Sequence, residues 1–308
     1  MITRRAFLRA LAGLGLAGVA TGAYATVVSP GLRLRVQRWT VRPAGFPEGP
    51  PLRIAVLADV HAGPPWMSVE RIEGIVEATN ALAPDLVALL GDYVADHPFR
   101  TRAVAPAEIV RACTVLEAPM GVFAVMGNHD WSLDPEAQRQ GHGPTATHRA
   151  FVAHGIPLLS NQAMALDRPG GGRGDGRVWI AGLDSQMALT PMAGWRGDWV
   201  GLDDLDATMA QIDDDGAPVV LMAHEPDIFP RVPSRVSVTL SGHTHGGQVR
   251  LFGYAPVVPS HYGNRYAYGH VEEGGRDLVV SGGLGCSIAP IRLGVPPEIT
   301  LVELRAPA

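Results

Sequence analysis

Ligand-type side chains recur in five short segments: Asp59-Val60-His61, Gly91-Asp92, Gly127-Asn128-His129-Asp130, His224, and Gly242-His243-Thr244-His245. Each lies beside a glycine or at the end of an apolar run. Asp59 and His61, two residues apart at a strand end, can aim at one cation. Asp92 has two carboxylate oxygens and is the natural bridge to a second. Asn128 offers a carbonyl oxygen, His224 and His243 offer imidazole nitrogens to the second ion, and His245 returns to the first. Two cations about 3.5–4 Å apart activate a bridging water near neutral pH and stabilise in-line displacement at phosphorus. The pattern therefore predicts hydrolysis of a phosphate ester by attack of that bridging hydroxide. His129 follows Asn128 and, as a group that titrates near pH 7, can act as a general acid or transition-state donor. Asp130 either orients His129 or caps a loop or helix.

The elements that must position these groups read as strands and helices in alternation. Apolar runs at 53–58, 86–90 and 122–126 predict buried strands, ending at Asp59, Gly91-Asp92 and Gly127-Asn128-His129. A helix from Ser68 as N-cap to Asn80 and another over 107–116 separate them. Strand–helix–strand order predicts parallel pairing, with ligands collecting beyond the carboxyl ends of the strands. Further strands are expected at 32–41, 177–182, 218–223, 236–240, 267–272, 278–280 and 298–304, with a helix over 203–212. Residues 43–51 form a Pro/Gly-rich connector, and 170–176 a glycine-rich turn.

Taken together, Asp59-x-His61, Gly91-Asp92, Gly127-Asn128-His129-Asp130, His224 and Gly242-His243-Thr244-His245 resemble the calcineurin-like metallophosphoesterase superfamily. The resemblance covers roughly residues 52–305. The run Ser241 to Gln248, and the segment from Gly282 to Glu298, resemble its exported YkuE/YaeI-type phosphodiesterase branch. The resemblance implies an α/β fold, two facing mixed β-sheets flanked by helices, as a single catalytic domain over 52–308. It implies Asp59, His61, Asp92 and His245 at one metal, and Asp92, Asn128, His224 and His243 at the other. It also implies His129 as the non-ligand histidine near the leaving group.

The start of the chain reads as an address. Thr3-Arg4-Arg5-Ala6-Phe7-Leu8-Arg9 looks like a twin-arginine motif. An apolar run from Ala10 to Ala25 follows, closing on the small-x-small pattern Ala23-Tyr24-Ala25. Residues 1–25 are thus expected to be a twin-arginine signal, either cleaved or kept as an anchor, with 26–51 a leading strand and connector. The expected location is the periplasm or the outer side of the cytoplasmic membrane, and the export machinery is an expected partner. That machinery carries folded proteins, so metal could be loaded in the cytoplasm. This favours two manganese ions over iron or zinc.

Composition narrows the partners. The chain of 308 residues carries a formal charge of −5, and every basic residue is Arg. Cleavage after Ala25 would remove three arginines and no acid, taking the charge to −8. No basic cluster remains to track a nucleic-acid backbone. Cys113 and Cys286 form no disulfide framework, although a single bridge between them is open. The expected substrate is an envelope-associated phosphodiester, lipid-linked in one version, and the expected state is monomeric.

Substrate contacts are harder to read. Trp66, Trp131, Trp195 and Trp199 fall on expected loops, and Trp66 and Trp131 follow metal motifs closely. These two either form an apolar lip for a lipid or nucleoside, or pack internally. Arg265 either contacts a phosphate or lies on a solvated loop. His97, His142, His148, His154, His261 and His270 belong to no motif and are expected at the surface. Competing functions are a pyrophosphohydrolase of a nucleotide–lipid intermediate such as UDP-diacylglucosamine, and a non-catalytic metal-binding envelope protein. Export counts against the first, because nucleotide-activated precursors are cytoplasmic. A complete ligand set with His129 counts against the second.

Overall fold

On strand β2 (Leu52–Leu57), Leu52, Ile54 and Val56 enter one apolar cluster and Ala55 and Leu57 enter another. A strand buried on both faces has room on either side only for more protein, and layers result. The computed structural model describes residues 3–168, 176–191 and 194–308. The glycine-rich turn expected over 170–176 falls almost wholly outside these.

One sheet contains β1 (Arg35–Val41), β2, β3 (Leu86–Leu89), β4 (Val122–Ala124) and the last strand, β11 (Glu298–Leu304), in the order β1-β11-β2-β3-β4. The pairs β2–β3, β3–β4 and β1–β11 are parallel, and β11–β2 is antiparallel. The other sheet contains β5 (Gln162–Asp167), β6 (Arg177–Gly182), β7 (Val219–Met222), β8 (Val238–Ser241), β9 (Gly269–Glu273) and β10 (Arg276–Val280), in the order β5-β6-β7-β8-β10-β9. Its central strands are parallel and its two edge pairings antiparallel. The expected mixed sheets are therefore present.

The sheets face each other across one apolar layer. Ile54, Val56, Leu86 and Val302 meet Ile180, Val220, Met222 and Leu240 there. Burying each such side chain is worth about 1.5–3 kcal/mol. Helices α3 (Val69–Asn80), α4 (Pro106–Cys113) and α7 (Ala146–His154) cover the outer face of the first sheet. Ser68 caps α3 as expected, accepting from Arg71 N. Short helices α5 (Asn128–Ser132) and α6 (Pro135–Gln140) follow β4, and α8 (Leu205–Met209) precedes β7. Cys113 and Cys286 are buried and free, so no bridge joins them.

The leading strand expected over 32–41 is β1, an integral edge of the first sheet, paired with β11 from Arg35↔Glu298 to Val41↔Leu304. The helix that carries the apolar run continues past Ala25. Helix α1 (Arg4–Ala23), a wide π turn (Tyr24–Val28) and α2 (Ser29–Leu32) form one continuous 29-residue helix. Helical carbonyls of the final turns are taken up by the folded body, which extends the helix beyond the apolar run.

Candidate metal centre

Three loops leave the carboxyl ends of β2, β3 and β4 side by side, and two more leave β7 and β8 of the facing sheet. The candidate ligands occupy these loops. Backbone bonds from Asp59 N to Gly91 O (3.1 Å) and from His61 N to Asp92 O (2.9 Å) carry the parallel pairing of β2 and β3 into the site. Asp59, His61, Asp92, His243 and His245 all have positive φ, between 40° and 68°. Non-glycine residues rarely adopt that conformation, and such strain concentrates at functional sites. Gly91 and Gly127 make the convergence possible. A Cβ on Gly127 would lie 2.3 Å from Asp92 Oδ1, and one on Gly91 2.4 Å from Gly127 N.

The side chains meet in overlapping groups, each able to hold an ion: Asp59, His61 and His245; His61, Asp92 and His129; Asp92, His224 and His243. All are buried. Asp92 Oδ2 is the shared point, 3.4 Å from His61 Nε2, 3.2 Å from His224 Nε2 and 3.8 Å from His129 Nε2. The Nε2 atoms of His61 and His245 stand 3.1 Å apart, and His245 Nε2 is 3.5 Å from Asp59 Oδ1. Asn128 Oδ1 lies 3.0 Å from His243 Nδ1. All seven expected ligand residues thus come into one buried constellation.

Partners around the constellation orient it. His129 N donates to Asp92 Oδ1 and His243 N to Asp59 Oδ1, both at 2.8 Å. These bonds leave Oδ2 of each carboxylate turned elsewhere. His224 Nδ1 donates to Leu90 O at 2.5 Å, which turns Nε2 toward Asp92 Oδ2. Burial lowers His61 to about 4, His243 to about 3 and His245 well below the ordinary histidine value. Neutral imidazoles are the form that binds metal. Burial pushes Asp59 up to about 7. Burial also opposes charge on Asp92 and His224, but their mutual attraction wins, holding Asp92 well below and His224 well above their usual ranges.

This arrangement fits divalent metal ions. Asp59 Oδ2, His61 Nδ1, His224 Nε2 and His243 Nε2 are buried polar atoms without a hydrogen-bond partner. Each such atom costs about 1–3 kcal/mol when nothing satisfies it. Several in one cluster, with glycines where any Cβ would fill the space, mark a cradle for cations rather than a packing fault.

Other expected site residues sit differently. Asp130 does not orient His129. Its carboxylate accepts from Asp92 N (2.8 Å), Tyr93 N (3.1 Å) and Gly127 N (3.0 Å), tying the β3 and β4 loops together. The carboxylate beside His129 Nδ1 is Asp96, at 3.5 Å. Trp131 is buried with Met126, Ala137 and Ala188, its Nε1 donating to Asp184 at 2.7 Å, so it forms no lip. Trp66 is half-buried and donates to Thr26 O at 2.8 Å, engaging the leading helix instead of a substrate. The Arg265 guanidinium pairs with Glu273 at 2.7 Å and stacks over Tyr266. His97 is buried, against Trp66, rather than at the surface.

Three neighbours of the centre carried no readable motif. Trp199 is the tryptophan that reaches it, with its ring 6.0 Å from that of His243 and 4.3 Å from that of His261. Asp96 stands four residues past Asp92, a spacing that points nowhere without the loop's shape. Arg292 is completely buried and reaches His245, although its loop position suggested nothing of the kind.

A strand-end cluster of buried carboxylates and imidazoles between two mixed sheets defines a metal-dependent phosphoester hydrolase. Residues 52–247 match the calcineurin-like phosphoesterase family model, and the chain belongs to that family. It is 28% identical over 314 residues to the metallophosphoesterase YkuE of Bacillus subtilis, covering 99% of this chain and 98% of that one. It is 29% identical over 317 residues to phosphodiesterase YaeI of Escherichia coli, covering 99% and 100%. A zebrafish (Danio rerio) transmembrane protein with a metallophosphoesterase domain is 26% identical over 259 residues, covering 82% of this chain and 53% of that protein.

Proposed function

We propose that the chain is a dinuclear metal-dependent phosphodiesterase acting on an envelope-associated phosphodiester. The observation that carries this reading is Asp92 Oδ2, common to a His61 contact and a His224 contact on opposite loops. A single carboxylate shared by two ligand groups is what a pair of cations requires. Asp59, His61, Asp92 and His245 would hold one ion, and Asp92, Asn128, His224 and His243 the other. When bound, such ions supply an activated water and offset the charge of the phosphoryl group.

The chain's own residues do the rest. Asp59 and Asp92, fixed by the amides of His243 and His129, keep the ligand loops at one separation. Asp130 holds Asp92 from behind through its main chain. His129, on the rim of the cluster, donates a proton to the departing alkoxide, and Asp96 faces its other nitrogen. Trp199, against His243, offers an apolar face to the leaving group.

Phosphodiester rather than monoester chemistry is supported by the name of the YaeI relative. The Asp/Asn/His set suits manganese, iron and zinc alike, and cytoplasmic loading before twin-arginine export favours manganese. That route would leave a monomer on the outer side of the cytoplasmic membrane, where a lipid-linked phosphodiester is the expected substrate. Hydrolysis of bis-p-nitrophenyl phosphate by the purified chain with Mn²⁺ tests the reading. Turnover abolished by chelation and by Asp92→Ala supports it; metal retention without turnover would favour a non-catalytic metal-binding protein.

A further inference from the structure

We infer that residues 1–32 are retained as a transmembrane anchor, and that the loops at its foot hold the metal centre against the lipid surface. The substrate half of this inference rests on the phosphodiesterase reading; the anchor half does not. Four observations lead here.

The helix Arg4–Leu32 is apolar enough to cross a membrane, and no charged residue lies between Arg9 and Arg33. Every residue from Thr3 to Tyr24 is exposed, including Phe7, Leu8, Leu11, Leu14, Leu16 and Val19. The uncharged part of this exposed helix, Ala10 to Tyr24, is about 22 Å long, so it spans a hydrocarbon core of about 30 Å only with Arg9 snorkelling to the interface and the helix foot drawn close to it. Arg4, Arg5 and Arg9 favour the cytoplasmic side for that end, which puts the folded body on the other side.

The small-x-small site is locked. Tyr24 to Val28 are helical and Ala25 is only 6% exposed. Arg292 N donates to Ala25 O, and Trp66 Nε1 to Thr26 O, both at 2.8 Å. Arg71 donates to Pro30 O and Arg33 O at 2.8 Å, and to Gly31 O. A protease cutting after Ala25 must first unwind this turn and strip it from the body. A protein exported folded presents the turn already docked.

The exposed helix has no length to spare, so its foot brings the adjoining loops to the interface. Two loops meet there. Gln248 Nε2 donates to Ala289 O, and Arg250 N donates to Leu293 O, next to the Arg292–Ala25 bond. Their tips are apolar: Phe252 is fully exposed and Ile288 70% exposed, beside Leu251, Tyr254 and Ile291. Phe252 has φ 53° and Ile288 φ 63°. For a β-branched residue that is a true outlier, costing on the order of 1–3 kcal/mol. Two strained residues that thrust large apolar side chains into water are explained by a bilayer that receives them. With a body of net negative charge, adhesion must be apolar rather than electrostatic.

The same loops are continuous with the centre. Gln248 is three residues past His245, and Arg292 joins Ala25 through its amide and His245 through its side chain. The helix foot and the centre are therefore one buried side chain apart, which holds the centre close to phosphoesters in the head-group layer.

The test uses the full chain with a C-terminal tag, produced in a bacterium. Intact-mass analysis should find residues 1–25 present, and the protein should resist alkaline carbonate extraction from membranes. A mass beginning at Thr26 would overturn the anchor. The chain is then reconstituted in phosphatidylethanolamine–phosphatidylglycerol vesicles, with F252S/I288S as the variant. Soluble bis-p-nitrophenyl phosphate should be hydrolysed within about two-fold of wild type, while a p-nitrophenyl phosphodiester of diacylglycerol in the vesicles should be hydrolysed at least about ten-fold more slowly. An unchanged lipid rate, or equal loss on both substrates, would overturn the docking surface. Wild type inactive on both substrates would instead sink the phosphodiesterase reading and the lipid-substrate clause, with mass and extraction still deciding the anchor.

Discussion

The Nη2 of Arg292 lies 3.2 Å from Nδ1 of His245, and Arg292 has no exposed surface. Its other donors reach Gly285 O, Gly282 O and Val295 O. Four guanidinium hydrogens meet carbonyl oxygens and the fifth lies against His245 Nδ1, and among the described residues no carboxylate pairs with it. Arg292 is thus a positioning residue, clamping the loop behind a candidate ligand. Arg292→Lys keeps a charge but supplies only three donors, leaving buried carbonyls unsatisfied. It should lower stability by at least about 2 kcal/mol and weaken metal binding. Denaturant unfolding and metal titration measure the two effects; no change in either would remove the role.

Asp92→Ala should empty the centre of both ions and abolish turnover, because the two proposed ligand sets share its carboxylate, which touches His61 on one side and His224 on the other. Elemental analysis checks the stoichiometry. One tightly held ion in wild type, with no activity gain on adding Mn²⁺, would contradict the paired site.

His129→Ala should retain metal and lower kcat by about 10²–10⁴-fold on substrates with poor leaving groups, with a smaller loss for p-nitrophenolate. Asp96→Asn should act in the same direction but more weakly, since Asp96 acts only through His129. Equal losses across leaving groups would argue against proton donation.

The two tryptophans should separate cleanly. Trp131→Phe removes a buried hydrogen bond to Asp184 and should cost about 1 kcal/mol of stability while leaving KM unchanged. Trp199→Ala, beside His243, should raise KM for aromatic diesters with little change in melting temperature. Reversal of these two outcomes would restore Trp131 to the substrate site.

Replacing Arg4 and Arg5 with Lys should retain the protein in the cytoplasm, because charge is kept but guanidinium geometry is lost. Cell fractionation measures it. Normal export of the variant would exclude the twin-arginine route and the case for cytoplasmic manganese loading.

What the sequence determined by itself was local. Asp59, Asp92 and Asn128 close apolar runs, and a ligand at the end of a buried strand is readable because strand periodicity and ligand spacing lie in one short window. The limits of β6 and β11 are legible for the same reason, residues 177–182 and 298–304 in both readings. Strand β5, with its mostly exposed residues, lacks an apolar signature and went unseen. Tertiary structure alone decided which polar groups meet. Asp130 reads as the partner of His129 and Asp96 does not, until the β3 loop folds, brings three amides onto Asp130 and sets Asp96 beside His129. Trp66 and Trp131 both follow metal motifs closely, yet one anchors the helix foot and the other fills the core. Arg292 meets His245 across 47 residues of chain. Such contacts depend on how loops from two facing sheets close over one another, and no local pattern encodes that closure.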